Sequence, residues 1–350
     1  MNRPSKGMPG RILVTGGAGN LGSELVADLL SGGHEVTVVD NLRTGTLANL
    51  DGISKGTSFR FICADLCEPE TYASKIRDCE TVFHFATVRK WPKRSDYDST
   101  VGLLTALEKA RAKLLVLHST ALVYGNASVV PTPENYGPLV PTVAYQANKL
   151  KCEDVVSRFA SHRGIHAVTL RFANIVGEKS YHGVVRDFFE RLIVDPNALR
   201  VLGDGLQTRS YVHVSDCVGA IETAVGEVRE GSEVFNVASR DAIETNTVAE
   251  VVAQEMGLDS PVITHTPVED DGGGWPGDPR TVIPDTSKLR LMGWRASRDS
   301  RQAVREAVRG MQERADGGRN AHPSLMRNKT SIRILEKEHW DRERDRLDGA

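Results

Sequence analysis

Arg11-Ile12-Leu13-Val14-Thr15-Gly16-Gly17-Ala18-Gly19-Asn20-Leu21-Gly22 decides how this chain folds. The first five residues form a short apolar, β-branched run that reads as a buried strand. Gly16, Gly19 and Gly22 follow at even spacing, and Leu25, Val26, Leu29 and Leu30 then recur with a helical period as far as Gly32-Gly33. Glycines between a strand and a helix let the backbone turn tightly and approach a pyrophosphate, which the free N–H groups of the helix N-terminus hold.

A second strand, residues 35–39, ends in Asp40, about where an acidic side chain accepts hydrogen bonds from an adenosine ribose. A carboxylate there repels a 2′-phosphate, which favours NAD over NADP, while the nearby Arg43 pulls the other way. A purely structural Gly-rich turn is the competing reading. Strand, glycines, helix, second strand and acid in that order weigh strongly against it.

The alternation continues. Strands are expected at 59–64, ending at Asp65-Leu66, at 81–85, ending at Ala86-Thr87, at 114–117, delivering Ser119 and Thr120, and at 167–170. A helix is expected around 101–110. Strands separated by helical segments imply a right-handed, doubly wound parallel sheet covered on both faces, an α/β fold of Rossmann type. Ligands of such sheets lie outside the carboxyl ends of the strands, the edge that carries Asp65, Ala86, Thr87 and Thr120.

Tyr145-Gln146-Ala147-Asn148-Lys149 adds the chemistry. On a helix, Tyr145 and Lys149 share one face. A free tyrosine, with a pKa of about 10, is a poor base at neutral pH. A fixed ammonium beside it favours the phenolate. With the hydroxyl of Thr120, the three groups can bind and deprotonate a substrate alcohol. Taken alone, the Tyr-x-x-x-Lys spacing is a weak signal that favours a solvated helix face; the motifs around it turn the reading.

The 350 residues suffice for one large or two ordinary domains. A formal net charge of -2 gives no basic field for nucleic acid, and no apolar run approaches the ~20 residues of a membrane span. The polar start lacks the apolar core of a secretory signal, so the expected location is cytoplasmic. Five cysteines form no Cys-x-x-Cys pair, and Cys63 and Cys67 around Asp65 lack a second ligand cluster, so no metal site is expected.

The motifs together (Thr15-Gly16 with its glycines, Asp40-Asn41, His84-Phe85-Ala86, Ser119-Thr120 followed by Val123-Tyr124-Gly125, Tyr145 with Lys149, and Arg171-Phe172-Ala173-Asn174) resemble an extended short-chain dehydrogenase/reductase. Over about residues 10–310 the chain is most similar to the sugar-nucleotide 4-epimerases of UDP-galactose (UDP-glucose) type. The resemblance implies resident NAD, with Asn20, Leu21, Asn41, Thr44, Gly45, Asp65, Leu66, Phe85, Ala86 and Thr87 joining Gly16, Gly19, Asp40, Tyr145 and Lys149 around it. It implies a UDP-hexose as the substrate, held by Thr120, Tyr145, Asn174, Val184, Leu202, Arg209 and Asp278. Four segments follow from it: a tail (1–10), an NAD-binding domain (11–178), a smaller α/β sugar-nucleotide domain (179–315, with some chain crossing between the two) and a charged extension (316–350). It also implies a homodimer built on helices near 100–111 and 146–161. Leu103, Leu104, Leu107, Val155 and Phe159 supply either that face or the core.

Three departures bear on the reaction. Relatives that dehydrate sugars carry Asp-Glu after the catalytic threonine, and decarboxylating relatives usually have Glu at the second of these positions. Here Ala121-Leu122 stands there. Epimerisation or a one-way keto-sugar reduction remains, with a non-catalytic nucleotide-binding scaffold as the alternative of another kind. The run Asp271-Gly272-Gly273-Gly274-Trp275-Pro276-Gly277-Asp278 resembles a family loop that usually carries an arginine where glycines stand here, so either a second diphosphate contact is missing or Arg280 supplies it. Ser99 stands where the family often has asparagine near the nicotinamide.

Overall fold

The computed structural model describes residue 8 and residues 10–53, 58–88, 94–227, 231–268 and 272–316. The rest of the N-terminal tail, Asp271 and the charged extension beyond residue 316 lie outside the described residues.

The chain opens with β1 (Arg11–Thr15), α1 (Asn20–Ser31), β2 (Val36–Asp40), β3 (Phe59–Cys63) and β4 (Cys79–His84). It continues through α2 (Asp96–Leu107), β5 (Leu114–Thr120), α3 (Ala144–Arg163) and β6 (His166–Phe172). Then come β7 (Asn174–Val176), α4 (Val184–Val194), β8 (Ala198–Leu202), β9 (Thr208–Arg209), β10 (Tyr211–His213), α5 (Val214–Glu227) and β11 (Ser232–Val237). The last elements are β12 (Ile243–Glu244), α6 (Thr245–Glu255), β13 (Val262–Thr266), β14 (Thr281–Val282), α7 (Ser287–Leu291) and α8 (Ser300–Asp316).

One sheet of seven parallel strands, ordered β11-β6-β5-β4-β1-β2-β3, is the frame. Its strands are short apolar runs because a parallel sheet is covered on both faces; all five residues of β2 are buried. One apolar core joins the sheet to α1 and α5 through Leu25, Leu29, Val218 and Ile221. The core on the other face joins it to α2 and α3 through Leu103, Leu107, Cys152 and Val156. Register aligns the carboxyl ends: Thr15 stands opposite Val39 and His84, and Ser119 opposite Arg171. That edge is where sequence reasoning placed the site.

The segment 184–316 builds a third core from α4, α6 and α8, with Phe189, Val252 and Val304 fully enclosed. Its small sheets pair β8 with β13 and set β9 between β12 and β14. The chain crosses back between them, since β11 extends the main sheet beside β6.

One expectation changes here, and one open alternative is decided. The helix expected around 101–110 starts at Asp96, because Ser95 and Asp98 form a capping box: Asp98 N–H donates to Ser95 Oγ at 3.3 Å and Ser95 N–H to Asp98 Oδ2 at 2.7 Å. Leu103, Leu104 and Leu107 are buried within the chain, so they belong to its core.

Candidate active site

The glycine turn comes first. Gly16 adopts φ 72°, and a Cβ on it would sit 2.6 Å from the amide nitrogen of Ala86, so the turn lies directly against the segment after β4. A Cβ on Gly22 would stand 2.2 Å from the carbonyl oxygen of Gly16. The start of α1 therefore presses on the turn with no room for a side chain. The helix is capped by Gly19 in extended conformation, with no side-chain cap and no acidic residue in its first turn. Its leading N–H groups are thus available to an anion, and the macrodipole favours one there. Asn20 Nδ2 donates to Ser180 Oγ at 3.1 Å, while its Oδ1 is buried without a partner. This is a cradle of the shape and polarity that a dinucleotide pyrophosphate needs.

Asp40 closes β2 beneath that turn. Its carboxylate accepts from Ala18 N–H at 3.0 Å and Leu42 N–H at 2.8 Å. Burial raises its pKa despite those two amides. Asp40 therefore braces the turn as well as standing at the predicted ribose position. Gly45 also packs against the turn, its hypothetical Cβ 2.7 Å from the Ala18 carbonyl carbon, with Thr44 half-buried beside it. Asn41 Nδ2 donates weakly to Asp65 Oδ2 at 3.4 Å, and Arg94 pairs with the same carboxylate at 2.8 Å. Burial pushes the Asp65 carboxyl up, but the Cys67 amide and the Arg94 charge outweigh it and hold it low. Leu66 and Phe85 are buried, Ala86 and Thr87 half-buried, all at the same edge.

Helix α3 carries the reactive stripe. Its start is set by Gln146, whose Oε1 accepts from Thr142 N–H at 2.7 Å, and its end by Gly164 in the left-handed region. Lys149 and Glu153, four residues apart, reach His118 and Ser119 near the end of β5, and Tyr145 lies one turn before Lys149 on the same stripe. Lys149 Nζ lies 5.9 Å from the centre of the Tyr145 ring and 3.5 Å from the His118 carbonyl oxygen on β5. Its side chain is only 3% exposed and pairs with Asp96 Oδ2 at 3.3 Å. Burial lowers the Lys149 pKa, yet Asp96 and Tyr145 together turn the balance upward, so the ammonium persists. His84 and His118, pushed down to about 3 by burial and the Lys149 charge, are neutral.

Thr120 ends β5 with its hydroxyl oxygen accepting from Leu122 N–H at 3.2 Å, which caps the short turn 121–124 and leaves the hydroxyl proton to be donated. Thr120, Leu122, Asn174 and Arg209 line one narrow cleft. Arg209, expected among the substrate contacts, is buried, donating from Nη2 to Asp278 Oδ1 at 2.6 Å and from Nη1 to the carbonyls of Thr208 and Arg280. Arg280, the expected substitute, forks onto both oxygens of Asp204 at 2.9 Å. Val184 and Leu202 are half-buried in the third core region and do not line the cleft; the Leu202 carbonyl faces Gly274 instead. Ser99 Oγ donates to its own helix, at the Asp96 carbonyl.

Asp96 and Glu153 are site-edge residues that the motifs did not announce, and Arg171, present in the Arg171–Asn174 motif, was given no role there. The signal for Asp96 was the Ser95-x-x-Asp98 box; for the Arg171–Glu153 pairing there was none short of the fold. Among the described residues no cluster of His, Cys, Asp or Glu is able to hold a metal, and no helix is long and apolar enough to cross a membrane.

A Rossmann-type sheet with a glycine cradle at its carboxyl edge defines a dinucleotide-binding α/β protein. Residues 12–238 match the NAD dependent epimerase/dehydratase family, and the chain belongs to it. It is 31% identical over 312 residues to a UDP-glucose 4-epimerase of Corynebacterium glutamicum, covering 81% of this chain and 90% of that one. It is 29% identical over 301 residues to UDP-glucuronic acid decarboxylase 1 of Danio rerio, covering 81% and 68%. The solved UDP-glucose 4-epimerase of Thermus thermophilus with NAD superposes with a TM-score of 0.75 at 28% identity, covering 86% and 99%.

Proposed function

We propose that the chain epimerises a nucleotide-diphosphate sugar with resident NAD, most directly UDP-glucose and UDP-galactose at C4 through a transient 4-keto sugar. What supports this is Lys149, 5.9 Å from the Tyr145 ring centre and 3.5 Å from the His118 carbonyl oxygen, two residues before Thr120 on β5, with Ala121-Leu122 following. NAD supplies a hydride acceptor that returns the hydride. The glycine cradle and Asp40 bind and orient it; Tyr145 takes the hydroxyl proton and later gives it back; Thr120 donates to the same oxygen; Lys149 stabilises the negative charge left on the phenol oxygen. Elimination of water or loss of carboxylate needs a further acid or base, and alanine and leucine provide neither.

The test is NMR of the products after the purified protein, with no added cofactor, meets UDP-glucose and UDP-galactose separately. Convergence on one ratio from both sides is expected. Failure on both, with reduction of a keto-sugar only when NAD(P)H is added, would overturn epimerisation in favour of a reductase.

A homodimer on α2 and α3 belongs to the same proposal. With the leucines inside, its face consists of residues such as the exposed Val101 and the half-buried Val155 and Phe159. Light scattering at micromolar concentration is expected to give twice the chain mass of 38.2 kDa; a monomer would remove the idea.

A further inference from the structure

We propose that Asp96 is a positioning residue for Lys149, its buried carboxylate fixing the ammonium against the end of β5 and tying it to the segment after β4. The proposal rests on the alcohol-oxidising reading of Tyr145 and Lys149.

The two side chains are 3% and 4% exposed, with Nζ 3.3 Å from Oδ2. The second oxygen, Oδ1, accepts from Val88 N–H at 2.6 Å, in the stretch that begins with Phe85-Ala86-Thr87. One carboxylate thus joins three elements: the first turn of α2, the segment after β4, and α3. The Ser95–Asp98 capping box fixes where α2 begins and so where Asp96 points.

The groups facing Lys149 are few. From β4 comes His84, held between Thr15 Oγ1 at 2.8 Å and Thr100 Oγ1 at 2.9 Å; from β5 comes His118 with its carbonyl; from α3 come Tyr145 and Cys152. Both imidazoles are neutral. Glu153, one turn on, is engaged by Arg171 and Ser119. Among the described residues Asp96 is the carboxylate that pairs with this ammonium.

A buried ion pair is a weak source of stability, since desolvation of both charges offsets their attraction. Its effect here is on position and charge. Burial is the largest influence on Lys149 and acts against its proton, and Asp96 is the largest influence opposing it. Neutralising Asp96 therefore lets Lys149 lose its proton at lower pH. The fixed cation beside Tyr145 disappears in that range.

The experiment is NMR of lysine labelled with ¹³C at Cε, in the full chain, with Lys149→Met assigning the signal. In the wild type the Lys149 signal should stay flat from about pH 6 to at least the ordinary lysine value of about 10. In Asp96→Asn its midpoint should move down by about one to three pH units, and Asp96→Glu should restore it in part. Where the enzyme turns over, kcat of Asp96→Asn should acquire an alkaline fall over the same range. If Asp96→Asn does not fold, Asp96→Ser, which removes the charge and keeps an acceptor, is read the same way. An unchanged Lys149 titration in the charge-removing variant overturns the proposal. The titration is read whether or not any sugar nucleotide is converted. A shifted midpoint in a protein inert on every substrate would therefore sink the reaction and leave the role of Asp96 standing.

Discussion

Tyr145→Phe is expected to lower turnover by about 10²–10⁴-fold, the range for loss of a positioned acid–base group, while cofactor content and thermal unfolding stay near wild type. The substitution deletes one oxygen from a half-buried ring at the start of α3. The helix start is held by Gln146 and Thr142, which the change does not touch. Lys149 keeps Asp96 and the His118 carbonyl as partners, so the ammonium does not move. In the proposed mechanism, what is lost is the atom that exchanges a proton with the sugar hydroxyl. Thr120 cannot replace it: its oxygen is engaged by Leu122 N–H, and an alcohol without an adjacent base is a weak acceptor of protons. Bound nicotinamide cofactor, measured by absorbance after denaturation, should match wild type. Turnover within a few fold of wild type would refute the assignment, and loss of cofactor together with turnover would show that the ring's main work is binding.

Much of this was open to reading before the coordinates. The glycine turn was readable because only glycine fits where Gly22 meets the Gly16 carbonyl, and such steric need leaves a mark in sequence. The parallel sheet was readable because short β-branched runs, such as Val36-Thr37-Val38-Val39, alternate with helical segments, as right-handed crossovers between parallel strands require. The Tyr145–Lys149 pair followed from helical spacing. The start of α2 was missed because the apolar pattern begins only near Val101, while the start signal lies in the polar Ser95–Asp98 box. The partners of Lys149 and Arg209 were beyond reach for a different reason. Asp96 precedes Lys149, and Asp278 follows Arg209, by long stretches of chain, and only the fold brings them together. The resemblance placed Arg209 and Asp278 among the substrate contacts without indicating that they meet; in the structure the Arg209 guanidinium pairs with Asp278 and with three carbonyls.

Cutting the Arg171–Glu153 pair from one side should destabilise the fold by about 3–5 kcal/mol, the cost of stranding a buried charge. Arg171 lies on β6 and Glu153 on α3, with side chains 6% and 11% exposed. The guanidinium meets the carboxylate side-on, Nε to Oε1 at 3.1 Å and Nη2 to Oε2 at 2.7 Å, and its third arm donates to Tyr124 OH at 3.1 Å. Burial works against the Arg171 charge, but pairing with Glu153 outweighs it. Ser119 Oγ donates to the same carboxylate, and Tyr124 OH donates onward to Asn236 Oδ1 at 2.7 Å. The network therefore clamps α3 to β5, β6 and β11 directly behind Thr120. Arg171→Met leaves the carboxylate with Ser119 alone; Glu153→Gln leaves the guanidinium facing an amide. Each single variant should lower the denaturation midpoint steeply. The double variant should be less unstable than the sum, because the uncompensated charge is then gone, with a coupling of about 0.5–3 kcal/mol. Additive losses in the cycle would mean that the two residues act separately. Turnover should fall in all three variants even where they remain folded. Ser119 adjoins Thr120, and Glu153 lies one turn beyond Lys149, so a loosened clamp misplaces both reacting groups together.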